Sequence, residues 1–260
     1  MKSYIIAILV LLLITGCYSE KESQIITEEN PPMEDFNIEE SDSRAIAIAD
    51  SVMKKMGGRK LWDETRYISW TFFGRRKLLW DKREGNVRIE FLNDPSTIYL
   101  VNVNSMQGKA MKAGEEITHP DSLAKELKRA QAIWINDSYW LFMPFKLKDS
   151  GVTLKYLRQD TTMTGAISDV LQLTFEEVGN TPNNKYEIWV NRHEGLITQW
   201  AYFQNSAQDS ASFIRPFDNY RRYGKILLSG DRSDNGGPGN IRVMESVPDG
   251  FFTSFDSFQQ

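Results

Sequence analysis

Apolar and polar residues alternate with a period of two through most of the chain after residue 67, and a period of two puts alternate side chains on opposite faces of a strand. In YISWTFF, Ile68, Trp70 and Phe72 share one face, and Ser69 and Thr71 share the other. In NVRIEFL, Val87, Ile89 and Phe91 oppose Arg88 and Glu90. The same pattern returns in GRRKLLWD, TIYLVNV, VTLKYLR, DVLQLTFEE, YEIWVN, LITQWAYF, DNYRRYG, KILLSGD and IRVMES. The joining pieces KREGN, NTPNN, RHEG, SGDRSDNGGPGN and VPDG are rich in turn residues. Strands at this spacing with one apolar face predict an antiparallel sheet of about ten strands. Such a sheet has to cover its apolar face by closing, by sandwiching or by curling around helices.

Two segments have helical periodicity instead. Ser43 to Met56 places Ile46, Ala49, Met53 and Met56 on one face, with Asp42 or a neighbouring serine as cap and Gly57-Gly58 as the stop. A second helix is predicted from THPD, where Thr118 and Asp121 form a capping-box pattern. Its apolar face runs through Leu123, Leu127, Ala130, Trp134 and Leu141, with a break expected near Asn136-Asp137 and an end at Pro144. The expected architecture is α+β, mainly antiparallel β: an incomplete (half) β-barrel of about ten strands covering two or three helices.

The N-terminus carries an address. Lys2 precedes an apolar run from Tyr4 to Ile14, roughly 16 Å long as a helix and too short for a bilayer core of about 30 Å. This fits the hydrophobic region of an export signal. Ile14-Thr15-Gly16-Cys17 resembles a bacterial lipobox, and Cys17 is the one cysteine in the chain. Lipidation of Cys17 is therefore expected, with residues 1–16 as the signal peptide. The mature domain then has no disulfide, and the chain's membrane partner is the bilayer reached through the acylated Cys17.

Residues 17–42 read as a lipidated cysteine and an acidic, disordered tether, with Pro31-Pro32 inside it. An acidic stretch after such a cysteine is also similar to surface-export signals of some Bacteroidetes lipoproteins. The chain carries a net −4. Setting aside −8 over residues 20–42 and +1 over residues 1–19 leaves residues 43–260 near +3. That balance, with no basic stripe, argues against nucleic acid.

Chemistry-bearing patterns are sparse. His119 and His193 have no partner at ligand spacing, and no nucleophile-elbow motif occurs. Asp231-Arg232-Ser233-Asp234-Asn235-Gly236 imitates half of a calcium loop, but position twelve is Arg242 where a bidentate Glu belongs. No metal, no other cofactor and no catalytic residue is expected. The aromatic content stands out, with seven Trp, ten Tyr and fourteen Phe.

The chain also resembles a family. A lipobox, a polar linker, a helix ending in MGG, RYISWTFFGRRKLLWDKREGNVRIE, WINDSYWLFMPFKLKDSGV and YEIWVNRHEGLITQWAYF followed by DNYRRYGKI look like Bacteroidetes lipoproteins of the LolA/LolB-like superfamily. The similarity covers most of residues 43–247, so residues 43–260 are expected to form one LolA/LolB-like half-barrel domain. Better-known members bind acyl chains of lipoproteins in the concavity. The resemblance implies an outer-membrane lipoprotein, at the periplasmic face or the cell surface, that holds a lipid or acyl chain without catalysis and acts as a monomer. The expected apolar lining is Trp70, Phe72, Ile89, Phe91, Trp134, Trp140, Trp189 and Trp200. Two other readings stay open: an envelope scaffold whose aromatics fill its own core, and an envelope hydrolase with a carboxylate pair in a cleft.

Overall fold

The alternation seen in sequence becomes two antiparallel sheets and a hairpin in a computed structural model of the chain, which describes residues 28–176 and 183–256. The first sheet is a meander of β1 (Tyr67–Phe72), β2 (Arg76–Asp81), β3 (Asn86–Phe91), β4 (Asp94–Asn102), β5 (Gly108–Lys112) and β6 (Glu115–Glu116). The second is β7 (Val152–Thr161), β8 (Ile167–Phe175), β9 (Lys185–Asn191), β10 (Ile197–Phe203) and β11 (Phe213–Pro216). β12 (Tyr220–Tyr223) and β13 (Ile226–Ser229) pair as a hairpin. β14 (Pro238–Met244) then returns beside β1, giving the first sheet the order β14-β1-β2-β3-β4-β5-β6. Neither sheet closes into a barrel. The described residues hold fourteen strands rather than about ten. The extra ones, β5, β6 and β11, are short and were not legible as alternation. Gly108 lets β5 lie against β4, since a Cβ there would collide with the Leu100 carbonyl.

Three α-helices lying wholly within the described residues accompany the sheets. α1 (Ser43–Lys55) buries Ala45, Ala49, Val52 and Met53 and stops at Gly57 and Gly58, both with positive φ. α2 (Arg59–Glu64), which the sequence pattern did not reveal, buries Trp62 on Phe145 with ring centroids 4.3 Å apart. α3 (Pro120–Phe142) packs on β4 and β5, and also touches β13 and β14. It begins one residue later than the expected capping box implies. His119 is the N-cap and makes no side-chain capping bond, because Pro120, pre-set for the first helical position, starts the helix without one.

The expected break at Asn136-Asp137 does not occur: α3 runs unbroken to Phe142. Asp137 is fully buried, and Arg76 on β2 donates to both its oxygens, Nε at 2.8 Å and Nη2 at 2.9 Å. Asn136 donates a third bond to the same carboxylate at 3.0 Å. The polar groups that would have unwound the helix are engaged with each other and across to the sheet, so the backbone ladder continues.

Cys17, the signal region 1–16 and tether residues up to 27 lie outside the described residues. The later part of the expected tether is not disordered. Asn30 is buried and donates to Asp50 at 2.8 Å, and Phe36 joins the core at 6% exposure. The backbone amides of Met33, Asn37 and Asp42 donate to the carbonyls of Lys148, Val152 and Leu154. The acidic composition concealed this because backbone hydrogen bonds along β7 and one aromatic anchor hold the strap, whatever the charge of its outward side chains. Beneath it, Lys148 and Asp50 form a buried ion pair at 2.5 Å. Residues 30–42 thus pack against the domain.

Asp137→Ala leaves the Arg76 guanidinium facing a cavity. Breaking a buried pair costs about 3–5 kcal/mol, and Arg76, 22% exposed, keeps some water. The expected loss in urea unfolding is therefore about 3 kcal/mol, with most of it recovered in the double variant Arg76→Leu/Asp137→Leu.

Candidate functional site

Where α3 crosses the second sheet the packing leaves a hollow of about 330 Å³. Its walls come from three places: Trp134, Tyr139 and Trp140 on α3, the turn at 146–152, and Phe175 and Tyr186 on β8 and β9. The helix supplies rings to the hollow because residues 134 to 140 span nearly two turns beside the sheet. The wall is a ring lattice. Tyr186 lies 5.3 Å from Tyr139 and 5.7 Å from Phe175, and it stacks on Trp200 at 5.5 Å with an interplanar angle of 5°. Trp140 meets Trp200 edge-on at 4.7 Å. Asn136, Ser138, Ser150 and Asn184 add polar groups, and Lys146 and Asp149 form an ion pair on the lining.

Two polar atoms in this wall have no hydrogen-bond partner: the Trp134 indole N–H and the Tyr139 hydroxyl. Burial pushes the Tyr139 hydroxyl well above the ordinary tyrosine value, so it stays protonated and can donate. The indole N–H groups of Trp70, Trp80 and Trp200 are also unpaired, but none of these residues lines the hollow. A buried unpaired donor costs about 1–3 kcal/mol.

Of the eight residues predicted to line a concavity, Trp134 and Trp140 do so. Trp200 is fully buried behind Tyr186. Phe72 lies 5.8 Å from Trp140, and Trp70 packs edge-on to Phe142 at 5.3 Å. Ile89 is sealed in the core, and Phe91 packs against Tyr99 at 5.6 Å. These five fill the core and do not line the hollow. Trp189 sits on the opposite face of the second sheet, with Val170, Ala201 and Phe203. The correction follows from the pleat: Tyr186 and Ile188 face the core, so Trp189 cannot. Tyr139, Phe175 and Tyr186 were missed. Following the two-residue period from Ile188 back to Tyr186 would have found one of them.

His119 and His193 lie outside the hollow, and the described residues contain no group of three metal-ligating side chains. In the loop that imitated a calcium site, Asp234 pairs with Arg215 at 2.8 Å and Arg232 is buried with its guanidinium 3.7 Å from the Phe217 ring centre.

No protein-family model and no curated protein matches the chain. Among solved structures it is similar to the crystal structure, at 1.75 Å resolution, of a DUF1329 family protein from Desulfovibrio piger ATCC 29098. The TM-score is 0.43 and the identity 14%, over 80% of this chain and 96% of that one.

Lys82 reports on the electrostatics near this end of the molecule. Its ammonium lies 3.8 Å from the Trp62 ring centre, and burial pulls it down to about 8. Asp63 and Asp149 oppose the shift, while Arg59 and Lys146 reinforce it. Between about pH 8 and the ordinary lysine value near 10.4, the unfolded chain holds a proton that the folded chain has released. Stability should therefore rise with pH across that window, and Lys82→Met should flatten the rise in urea unfolding curves taken from pH 7.5 to 10.

Proposed function

We propose that this chain is a non-catalytic lipoprotein of the bacterial cell envelope, anchored by a lipidated Cys17, whose domain takes a lipid-type acyl chain into the hollow beside α3. The observation that carries the reading is the wall itself: five aromatic rings around a space of about 330 Å³, two of them, Trp134 and Tyr139, carrying a buried and unpaired polar hydrogen. An alkyl chain matches the rings. The volume falls at the small end of the roughly 300–1,000 Å³ typical of ligand sites. Burying about eight methylenes would contribute roughly 6 kcal/mol, which association costs of about 4–15 kcal/mol largely offset. Such a site holds a chain briefly and releases it, as a carrier requires. The resemblance of residues 43–247 to LolA/LolB-like lipoproteins supports the same reading, and the Ile14-Thr15-Gly16-Cys17 motif supports the anchor and the outer-membrane address.

The alternative, an envelope scaffold without a lipid ligand, draws on a different observation. Trp70, Ile89 and Trp200 are fully buried, so most of the space between sheets and helices is filled by the protein's own rings.

The two readings separate on bound lipid. After gentle detergent extraction of the full chain, native mass spectrometry should show acyl-bearing lipid on the protein in addition to the covalent adduct at Cys17. Ser150→Trp, which fills the hollow, should abolish the non-covalent adduct and leave the melting temperature nearly unchanged. Lipid-free protein, or equal lipid on Ser150→Trp, would leave the scaffold reading. The anchor is tested separately: Cys17→Ser should remove incorporation of an alkyne-tagged fatty acid and shift the chain out of the membrane fraction.

A further inference from the structure

The outer face of the first sheet, away from the hollow, carries a second cleft of about 610 Å³ between β14, β1 and β2. We infer that this cleft binds a phosphate-type anion through Lys77 and Arg242, with Ser69, Thr71 and Asn240 as neutral hydrogen-bonding partners. Its construction follows from the register. Ser69 pairs with Arg242 and Thr71 with Lys77, which sets two hydroxyls and two cations on the outward side of three neighbouring strands. Between Ser69 and Thr71 the pairing shifts, so that Asn240 and Ile241 together oppose Trp70. This bulge, with Asn240 at φ 49°, turns the Asn240 amide onto the Thr71 hydroxyl at 3.3 Å. Leu92 and Ile241 supply the apolar edge.

The charge balance of the cleft is one-sided. No carboxylate lines it. Glu90 is paired in register with Lys77, and the Arg88 Nε donates to it at 2.6 Å, while the Asp231 carboxylate sits over Gly239 at the Thr71 end, outside the lining. Arg88 is itself held by the carbonyls of Phe251, Ser254 and Asp256. Lys77 and Arg242 form no ion pair with any described residue. Burial lowers the Lys77 ammonium, Arg242 and Arg88 lower it further, and Glu90 alone opposes them. Cations brought together without matching acids repel each other, and an anion seated between them relieves that repulsion. Lysine and arginine beside hydroxyl and amide groups are the donors that phosphate oxygens take.

The shared chemistry is a phosphate oxyanion, free or as a lipid headgroup, and titration calorimetry separates the sources. The full chain in non-ionic detergent is titrated with inorganic phosphate, with dihexanoyl phosphatidylglycerol and with dihexanoyl phosphatidylcholine. Binding of phosphate or phosphatidylglycerol that weakens at least tenfold in both Lys77→Gln and Arg242→Gln, and survives in Lys77→Arg, upholds the site. Phosphatidylglycerol binding more tightly than phosphate assigns it to a headgroup, and equal binding assigns it to a soluble phosphate. Melting temperatures check that the variants fold; Arg242 is exposed, so its replacement leaves the core intact. The inference is overturned if neither anion binds, if phosphatidylcholine matches phosphatidylglycerol while phosphate does not bind, or if either glutamine variant binds as the parent does.

Discussion

Helix α3 has to satisfy two sheets at once, and the rest of the molecule is arranged around that demand. On one side Trp134 meets Trp80 at 5.2 Å, and Phe142 meets Trp62 and Trp70 at 5.2 and 5.3 Å. On the other side Tyr139 and Trp140 meet Tyr186 and Trp200. Each ring contact of this kind contributes about 0.5–1.5 kcal/mol beyond the area it buries, so the lattice ties the sheets to each other through the helix. Rings are rigid, and they cannot fill every space between a straight helix and a twisted sheet. The hollow at residues 134–140 lies where that mismatch is left unfilled.

A helix packed this tightly has little freedom to turn, and the Arg76–Asp137 pair removes what remains. The carboxylate is buried where only an apolar residue would be expected. Burial pushes its protonation upward, while Arg76 and Asn136 pull it back. The pair contributes less as net stability than as register, because it fits only one rotation and one height of α3 against β2. With the helix fixed, Trp134 and Tyr139 are fixed too, and their buried donors have little rotamer freedom to find other partners. The unpaired N–H and O–H are thus a consequence of the clamp.

Much of this was legible in the sequence, and the failures share a cause. The period of two located β1 to β4 and β7 to β10 because each buries a stretch of one face. It could not find β5, β6 or β11, which are too short to establish a period and are held mainly by neighbouring backbone. Composition wrote off residues 30–42 as disordered, since a strap held by main-chain hydrogen bonds and Phe36 leaves no periodic signal. At the candidate site, ring size was an unreliable guide. Trp189 faces away while the smaller Tyr186 lines the hollow, and only the pleat decides between them. Asp137 read as a helix breaker because its partner, Arg76, lies 61 positions away, beyond any local pattern.

The two clefts differ in the kind of imbalance they hold. The hollow beside α3 has apolar walls and unpaired neutral donors; the outer cleft has open polar walls and unmatched cations. A folded chain tends to remove both kinds of imbalance, by repacking a ring or by placing an acid opposite a lysine. The means to do so are close by. Glu90 lies directly across from Lys77, yet it is bonded to Arg88, and Arg88 in turn holds three carbonyls of the C-terminal segment. Covering one end of the outer face with residues 251–256 therefore draws the acid away from the other end and leaves the cationic cleft open. The tail that seals part of the sheet and the cleft that stays unsealed are coupled through one glutamate.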